Sequence, residues 1–377
     1  MVTHIFFLIF NYMKLILQNR LNNFIPLLMI SDNEIIVSKR NKIYIYNLLT
    51  NSFNLIVTLP ITNFIGFCSR IKLLTRLFRL GVRLSVSISD NKIIVVFNKQ
   101  FYEVDIINNS YESVFDIPRG NRPLNIANVI NIVGFENTLY FGEYFSNFKR
   151  NSVNIYKRLS DKSWKIVHTF PEGTIEHIHA IVPDKYRECL WILTGDFNIA
   201  SGIWMAKNNF NVVEPILQGT QKFRSCVAFP LPEGILYATD SQFEKNSIRL
   251  MRKQNEEWVS DFICYVNGPV IYGCKVKNNL FFSTSVEGDS HLKKIFSKYL
   301  DKTPGPGIEG KSSTIVGGNL ENGFKILYEN PKDNLPFILF QFGAITFPTG
   351  DNQSEYLFSY NIALKNNDLE TQIFHIN

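Results

Sequence analysis

Charge is scarce in this chain: only 19% of its 377 residues are Asp, Glu, Lys or Arg, against 45% hydrophobic residues. A disordered polymer needs the opposite balance, so that class is excluded. Gly and Pro are few, at 21 and 15, which excludes collagen-like and low-complexity chains. Cysteine is sparse too. Cys68, Cys189, Cys226, Cys264 and Cys274 are odd in number and irregular in spacing, so neither a disulfide framework nor a zinc-finger spacing is present. No segment is long and apolar enough to span a bilayer comfortably. The apolar run at 5–17 (IFFLIFNYMKLIL) is too short. It also lacks the basic start and small-residue cleavage site of a signal peptide. Residues 1–24 therefore read as a strand or packing segment, with a signal-like or membrane-touching segment as the alternative. The net charge of +6 is mild and demands no nucleic-acid partner. The expected compartment is the cytoplasm; association with a membrane, or an exported form, is the alternative.

What the chain does have is a repeat. A strand, a polar turn, an aromatic residue and a second strand recur in that order. The pattern appears at 42–46 (KIYIY) with 53–57 (FNLIV), and at 101–105 (FYEVD) with 111–115 (YESVF). It returns at 153–156 with 164–167, at 203–206 with 210–213, and at 248–251 with 258–262. The aromatic anchors Phe53, Tyr111, Trp164, Phe210 and Trp258 are 58, 53, 46 and 48 residues apart. Looser copies follow at 294–297 (KIFS) and at 356–360 (YLFSY) before 370–374 (ETQIF). Two further strand-like runs precede each hairpin, for example 177–182 (HIHAIV) and 189–194 (CLWILT). Four strands in about 45 residues is the signature of a β-propeller blade. The expected fold is all-β: a single propeller over 25–377, with seven four-stranded blades, or six if the ragged unit around 303–307 is not one.

One segment breaks the pattern. Residues 70–83 (RIKLLTRLFRLGVR) place Ile71, Leu74, Leu77 and Phe78 at helical spacing, with Lys72, Arg76, Arg79 and Arg83 on the other side. A basic amphipathic helix inserted at 68–84 is expected. It either packs on the propeller with a solvated basic face or lies on an anionic surface such as a membrane.

Blade geometry converts the repeat into a map. Strands alternate in direction, so the start of each first strand and the end of each second strand share one face. At second-strand ends stand Gly142-Glu143-Tyr144, Gly195-Asp196, Asp240-Ser241 and Glu287-Gly-Asp289. At first-strand starts stand Arg119, Arg122, His177, His179, Gln221 and Arg224. His177, His179, Glu143, Asp196 and Tyr144 are the candidate catalytic groups. Arg122, Gln221, Arg224, Asp240, Asn246 and Glu287 are the candidate substrate-binding groups. Carboxylates and imidazoles supply acid and base, and guanidinia neutralise carboxylates by paired hydrogen bonds. Each has a bland alternative. Acids after strands are common turn formers, and arginines between blades form structural ion pairs. Two histidines without a visible third ligand are a weak metal signal, so no metal and no cofactor are expected.

The turn 160–164 (SDKSW) looks like a shortened Asp-box of sialidase-like (BNR-repeat) propellers, without its glycine. Residues 118–350 resemble sialidase-like propellers encoded among bacterial surface-polysaccharide genes. The matching stretches are RPLN at 122, YFGEY at 140, HIH at 177, WILTGD at 191, GTQKFR at 219, ATDS at 238 and FQFG at 340. The resemblance implies a structural role for the box. It does not bring the full sialidase set of three arginines, an acid and a tyrosine–glutamate pair. The function expected is a carbohydrate-active enzyme for a bacterial surface polysaccharide. As a hydrolase, two of Glu143, Asp196, Asp240 and Glu287 would flank the bond. As a uronate lyase, His177 or His179 would abstract a proton while Arg122 or Arg224 neutralises the carboxylate. The alternative is a non-catalytic propeller that binds glycan or scaffolds assembly enzymes. The expected partners are an oligo- or polysaccharide and, through 70–83, a membrane surface.

Overall fold

The second strand of each unit explains the architecture. Runs such as 35–37 (IIV), 139–141 (LYF) and 280–282 (LFF) are apolar without alternation and fully buried, so both of their faces need cover. Neighbouring blades supply it. The computed structural model describes residues 13–289 and 299–377 and shows seven antiparallel four-stranded sheets. Six use consecutive strands, over 25–58, 84–116, 127–170, 177–218, 225–266 and 270–331; we number these blades one to six. The innermost strands of successive blades touch, which places them around a central channel. The protein is a seven-bladed β-propeller.

Blade seven closes the ring. Its inner three strands are Ala344–Thr346, Tyr356–Ile362 and Glu370–Ile376, and its outer strand is Leu15–Asn22. The closing pair runs from Leu15 opposite Ile376 to Asn22 opposite Glu370. Residues 15–22, set outside the propeller in the sequence reading, are thus part of it. Residues 1–12 of the apolar N-terminal segment lie outside the described residues.

Third and fourth strands share one irregularity. In every blade the register slips by one residue, leaving Ile56, Val114, Val167, Ile216, Ile263, Leu327 and Gln18 unpaired on the outer strand. A bulge at this place increases the local twist. In six blades the extra residue is aliphatic and packs into an inter-blade core.

Three sequence expectations change. The copy at 294–297 lies outside the described residues, and the outer hairpin of blade six is instead Ser312–Asn319 with Gly323–Pro331. The copy at 356–374 is the second and third strand of blade seven, not the third and fourth. The helix expected at 70–83 is shorter, α2 (Lys72–Leu77), and a second short helix, α1 (Asn63–Cys68), precedes it. The basic face is solvated only in part: Lys72 and Arg79 are exposed, whereas Arg76 turns inward. Arg76 is 3% exposed; it pairs with Asp333 and with Asp368 at 3.3 Å, and its Nε donates to the Phe340 carbonyl at 3.1 Å. Several apolar residues also face out: Phe64, Phe67, Ile71, Leu73 and Phe78 are exposed, while Leu74 and Leu77 are half-buried. Burying a guanidinium is costly, but two carboxylates and a carbonyl satisfy this one. Among the described residues no helix is long and apolar enough to cross a membrane.

Arg76 therefore fastens the insertion to blade seven. Arg76→Ala leaves Asp333 and Asp368 without their main cation. We expect a loss of about 3 kcal/mol, the scale for breaking one side of a buried pair, read as a lower urea midpoint at unchanged m-value.

Candidate functional site at the channel mouth

First-strand starts and second-strand ends do share one face. Blades two to seven all contribute to a cavity of about 860 Å³ there, roofed by the two-helix insertion. Tyr144, His179, Asp196, Arg224, Asp240 and Glu287 line it, as does Arg122.

The innermost strand of blade four, His177–Asp184, carries the histidines. Ile178 pairs with Thr194 and Ala180 with Leu193, so His179 is the extra residue of a bulge. Cys226 occupies the equivalent bulge in blade five. Bulges re-aim side chains, and here both residues reach the cavity wall. His177 and His179 meet at their Nε2 atoms, 3.1 Å apart. Each also contacts Asp196 Oδ1, at 3.4 and 3.1 Å. Their Nδ1–H groups donate to the carbonyls of Phe145 (3.1 Å) and Ser225 (3.0 Å). Gly195 makes room for this: a Cβ there would lie 2.2 Å from His179 Cε1. The Asp196 N–H donates to Glu176 Oε2 at 2.7 Å, which fixes the loop. Asp196 is the third donor that the sequence did not reveal.

Arg224 is the central cation. Buried at 5% exposure, it reaches Asp196 at 3.0 Å, Asp240 at 3.4 Å and Gln242 Oε1 at 3.1 Å. Burial opposes ionisation of Asp196, but Arg224 and both histidines outweigh it and hold the carboxyl well below its usual range. Burial likewise disfavours the His177 cation, yet Asp196 raises its pKa overall. Glu287 behaves oppositely. Burial, then Asp240, pushes it up to about 7, while the Ser285 hydroxyl donates to its Oε1 at 2.6 Å. Burial and the same acids push the Tyr144 phenol and the Cys226 thiol well up. Tyr144 is therefore a neutral hydrogen-bond donor, not a phenolate nucleophile.

A cationic arc completes the cavity. Arg83 donates to Gln341 Oε1 at 2.9 Å, while its Nε and second terminal nitrogen are buried without partners. Burial, then Arg122, lowers its pKa to about 10. Arg79 is lowered by the same two causes. Among the described residues Arg122 has no hydrogen-bond or ion-pair partner. The sequence reading assigned Arg79 and Arg83 to an outer helix face. A usable signal was present, because Arg83 directly precedes the first strand of blade two (Leu84–Ser89).

Four candidates do not line the cavity. Glu143 is buried inside blade three, clamped by Arg119 through both carboxylate oxygens and by the Asn154 N–H at 2.8 Å. It is a structural ion pair, not a catalytic group at the mouth. Gln221 sits behind the wall, donating to the Asp196 carbonyl at 2.8 Å. Asn246 is fully buried; it accepts from Thr239 and Ser241 and donates to the carbonyls of Ser241 and Glu244. Both brace second-strand loops instead of facing a substrate. His177, finally, lies behind His179 and does not line the cavity.

No protein-family model and no curated protein matches the chain. Solved structures do match in shape. A chain of the mitotic checkpoint complex superposes with TM-score 0.55 at 8% identity, covering 97% of this chain and 94% of that one. The CNH domain of AfRom2 gives 0.55 at 6% identity, with 97% and 99% covered. The WD40 β-propeller domain of Doa1 gives 0.51 at 9% identity, with 97% of each covered. At such identities the likeness carries the propeller fold alone.

The position of Glu143 has a measurable consequence. Glu143→Ala leaves Arg119, among the described residues, with only the Ser152 carbonyl as a hydrogen-bond acceptor and the Asn154 N–H unpaired, so we expect about 3 kcal/mol lower stability in urea titration.

Proposed function

We propose that the channel mouth is the active site of a carbohydrate-active enzyme that cleaves an acidic oligo- or polysaccharide, such as a bacterial surface glycan. One observation carries the reading. A single cavity holds a carboxyl raised to about 7, Glu287, close to two carboxylates bound to Arg224, together with unpaired guanidinium donors on Arg83 and Arg122. Carboxyl groups whose environments push their pKa values apart divide into acid and base roles. Glu287, protonated near neutrality, is the donor to a glycosidic oxygen. Asp240 is the carboxylate that acts at the anomeric carbon or on a water, because both histidines engage Asp196 while Asp240 Oδ1 has no partner among the described residues. Arg122 and Arg83 meet the negative charge of a uronate or similar sugar. Phe64 and Phe78, at the cavity rim, offer apolar ring faces to a pyranose.

This assignment favours hydrolysis over elimination. A lyase base must turn an imidazole nitrogen towards the substrate. Both histidines spend Nδ1 on backbone carbonyls and turn Nε2 towards each other and Asp196.

The exposed side of the insertion supports a second reading, peripheral attachment to an anionic lipid surface. Phe67, Ile71 and Leu73 are 59%, 40% and 46% exposed, flanked by exposed Arg70 and Lys72. Apolar anchors beside cations suit an anionic bilayer interface.

Incubation with a panel of acidic polysaccharides should release new reducing ends. Glu287→Gln should lower the rate ~10²–10⁴-fold, the range for a lost general acid. For the native protein, the rate should fall as pH rises through about 7, where Glu287 loses its proton, and the variant should lack that limb. Arg122→Ala should raise KM ~10-fold or more, the scale of a lost charge-assisted hydrogen bond. Ultraviolet absorbance from unsaturated uronate would replace hydrolysis with elimination. Binding without any product would leave a lectin-like propeller.

The lipid reading is tested by co-sedimentation with phosphatidylserine-containing and phosphatidylcholine-only vesicles. Binding to the former only, weakened by salt and lost in Phe67→Ser/Leu73→Ser, is expected. No sedimentation at low salt would sink it.

A further inference from the structure

We propose that His177, His179 and Asp196 form a binding site for one divalent transition-metal ion of the zinc class, set into the wall of the channel cavity. It goes beyond the glycan reading and does not depend on it.

The argument begins with proton accounting. A backbone carbonyl only accepts, so the contacts of His177 Nδ1 to Phe145 (3.1 Å) and of His179 Nδ1 to Ser225 (3.0 Å) place a hydrogen on both Nδ1 atoms. In a neutral imidazole the other nitrogen is then a bare lone pair. The two Nε2 atoms lie 3.1 Å apart, and Asp196 Oδ1 lies 3.4 and 3.1 Å from them. Three acceptors thus converge on one point. Arg224 engages the same Asp196 oxygen at 3.0 Å, but the two facing Nε2 lone pairs still call for a positive occupant.

The spacing suits a metal. Zinc binds imidazole nitrogen and carboxylate oxygen at about 2.0–2.2 Å, which sets donors in a tetrahedral shell roughly 3.3–3.5 Å apart and in tighter angles nearer 3 Å. The surroundings suit it as well. Metal-binding histidines usually donate their second N–H to a carbonyl or carboxylate, which fixes tautomer and ring direction, and both rings do so here. Asp196 is steadied by Glu176 through its backbone N–H and by Arg224 through its carboxylate. His179 is carried by a bulge, and Gly195 leaves space for its ring. Charge allows it: Asp196 and Asp240 face one buried cation, Arg224, at this end of the cavity.

A neighbouring set, His179, Cys226 and Asp240, also clusters. It is the poorer site. A thiol must ionise to bind zinc, and the Cys226 thiol is buried and hydrogen-bonded to Asp240 at 3.2 Å. Two of the proposed ligands, His179 and Asp196, line the cavity, while His177 anchors from behind. Three protein ligands leave coordination positions for water or substrate, the pattern of catalytic rather than structural zinc. Bound there, the ion would polarise a ligand oxygen or acidify a water.

The competing occupant is a single extra proton shared among the same three atoms. Purified protein is freed of metal with a chelator, titrated with Zn²⁺ by calorimetry at neutral pH, dialysed and assayed for metal. We expect one ion per chain. His179→Asn and Asp196→Asn should each weaken binding at least ~10–100-fold, the loss seen when even an orienting partner of a ligand is removed. His375→Asn, remote from the cluster, should bind like the native chain. Co²⁺ replacing Zn²⁺ should give a visible ligand-field spectrum, a readout on native protein should a variant fail to fold. No retained ion and no cobalt spectrum, or equal affinity in native and Asp196→Asn protein, would overturn the proposal in favour of the shared proton. Because the ion itself is measured, failure here leaves the glycan reading standing, and absence of glycan cleavage leaves the metal result unaffected.

Discussion

Each blade has two apolar faces and can cover neither alone. That constraint organises the whole molecule. The second strands, such as 35–37, 139–141 and 280–282, are buried on both sides. A blade is therefore stable only between two others, and an open stack would leave two apolar faces in water. The closing sheet, in which Leu15–Asn22 pairs with Glu370–Ile376, removes that problem by joining distant parts of the chain. The recurrent bulge on the outer strand works in the same direction. It adds twist where the blade is widest and turns an aliphatic side chain such as Ile56, Ile216 or Leu327 towards a neighbouring blade.

Ring closure also creates the chemistry. Six blades aim strand ends at one mouth, so polar residues far apart in sequence are forced together away from water. In that setting a charge must find a partner or give up ionisation. Both outcomes are present. Asp196 and Asp240 keep Arg224 between them, while Glu287 holds its proton to about 7. The strongest perturbations in the protein thus sit where the topology converges, which is the arrangement that marks functional sites.

Much of this was legible in the sequence because it is periodic. Five outer hairpins and the face shared by strand ends follow from alternation and spacing alone. What failed was whatever depends on partners from another blade. Glu143 and Asp196 occupy equivalent second-strand ends, yet Arg119 captures the first and leaves the second to the cavity. Nothing in a one-dimensional pattern separates them. Residues 70–83 fit a helical wheel, but Asp333 and Asp368, more than 250 residues away, draw Arg76 inward and leave Ile71 and Phe78 exposed. Blade seven was misread in phase because its outer strand comes from the far end of the chain. The histidine pair was visible, but its third donor was not, since only the fold brings Asp196 to the bulge at His179.

The cavity is polarised around the ring, and this narrows what fills it. Arg79, Arg83 and Arg122 come from the insertion and from blades two and three, whereas Asp196, Asp240 and Glu287 come from blades four to six. The cationic arc has little internal compensation: Arg83 keeps two buried nitrogens unpaired. A neutral ligand would leave that cost in place, and a simple anion would use one arc only. A molecule with a negative group at one end and hydroxyl or ether oxygens at the other answers both arcs at once. Acidic sugars have that shape. A cation held by His177, His179 and Asp196 would sharpen the match by offering an electrophilic point within the otherwise acidic arc.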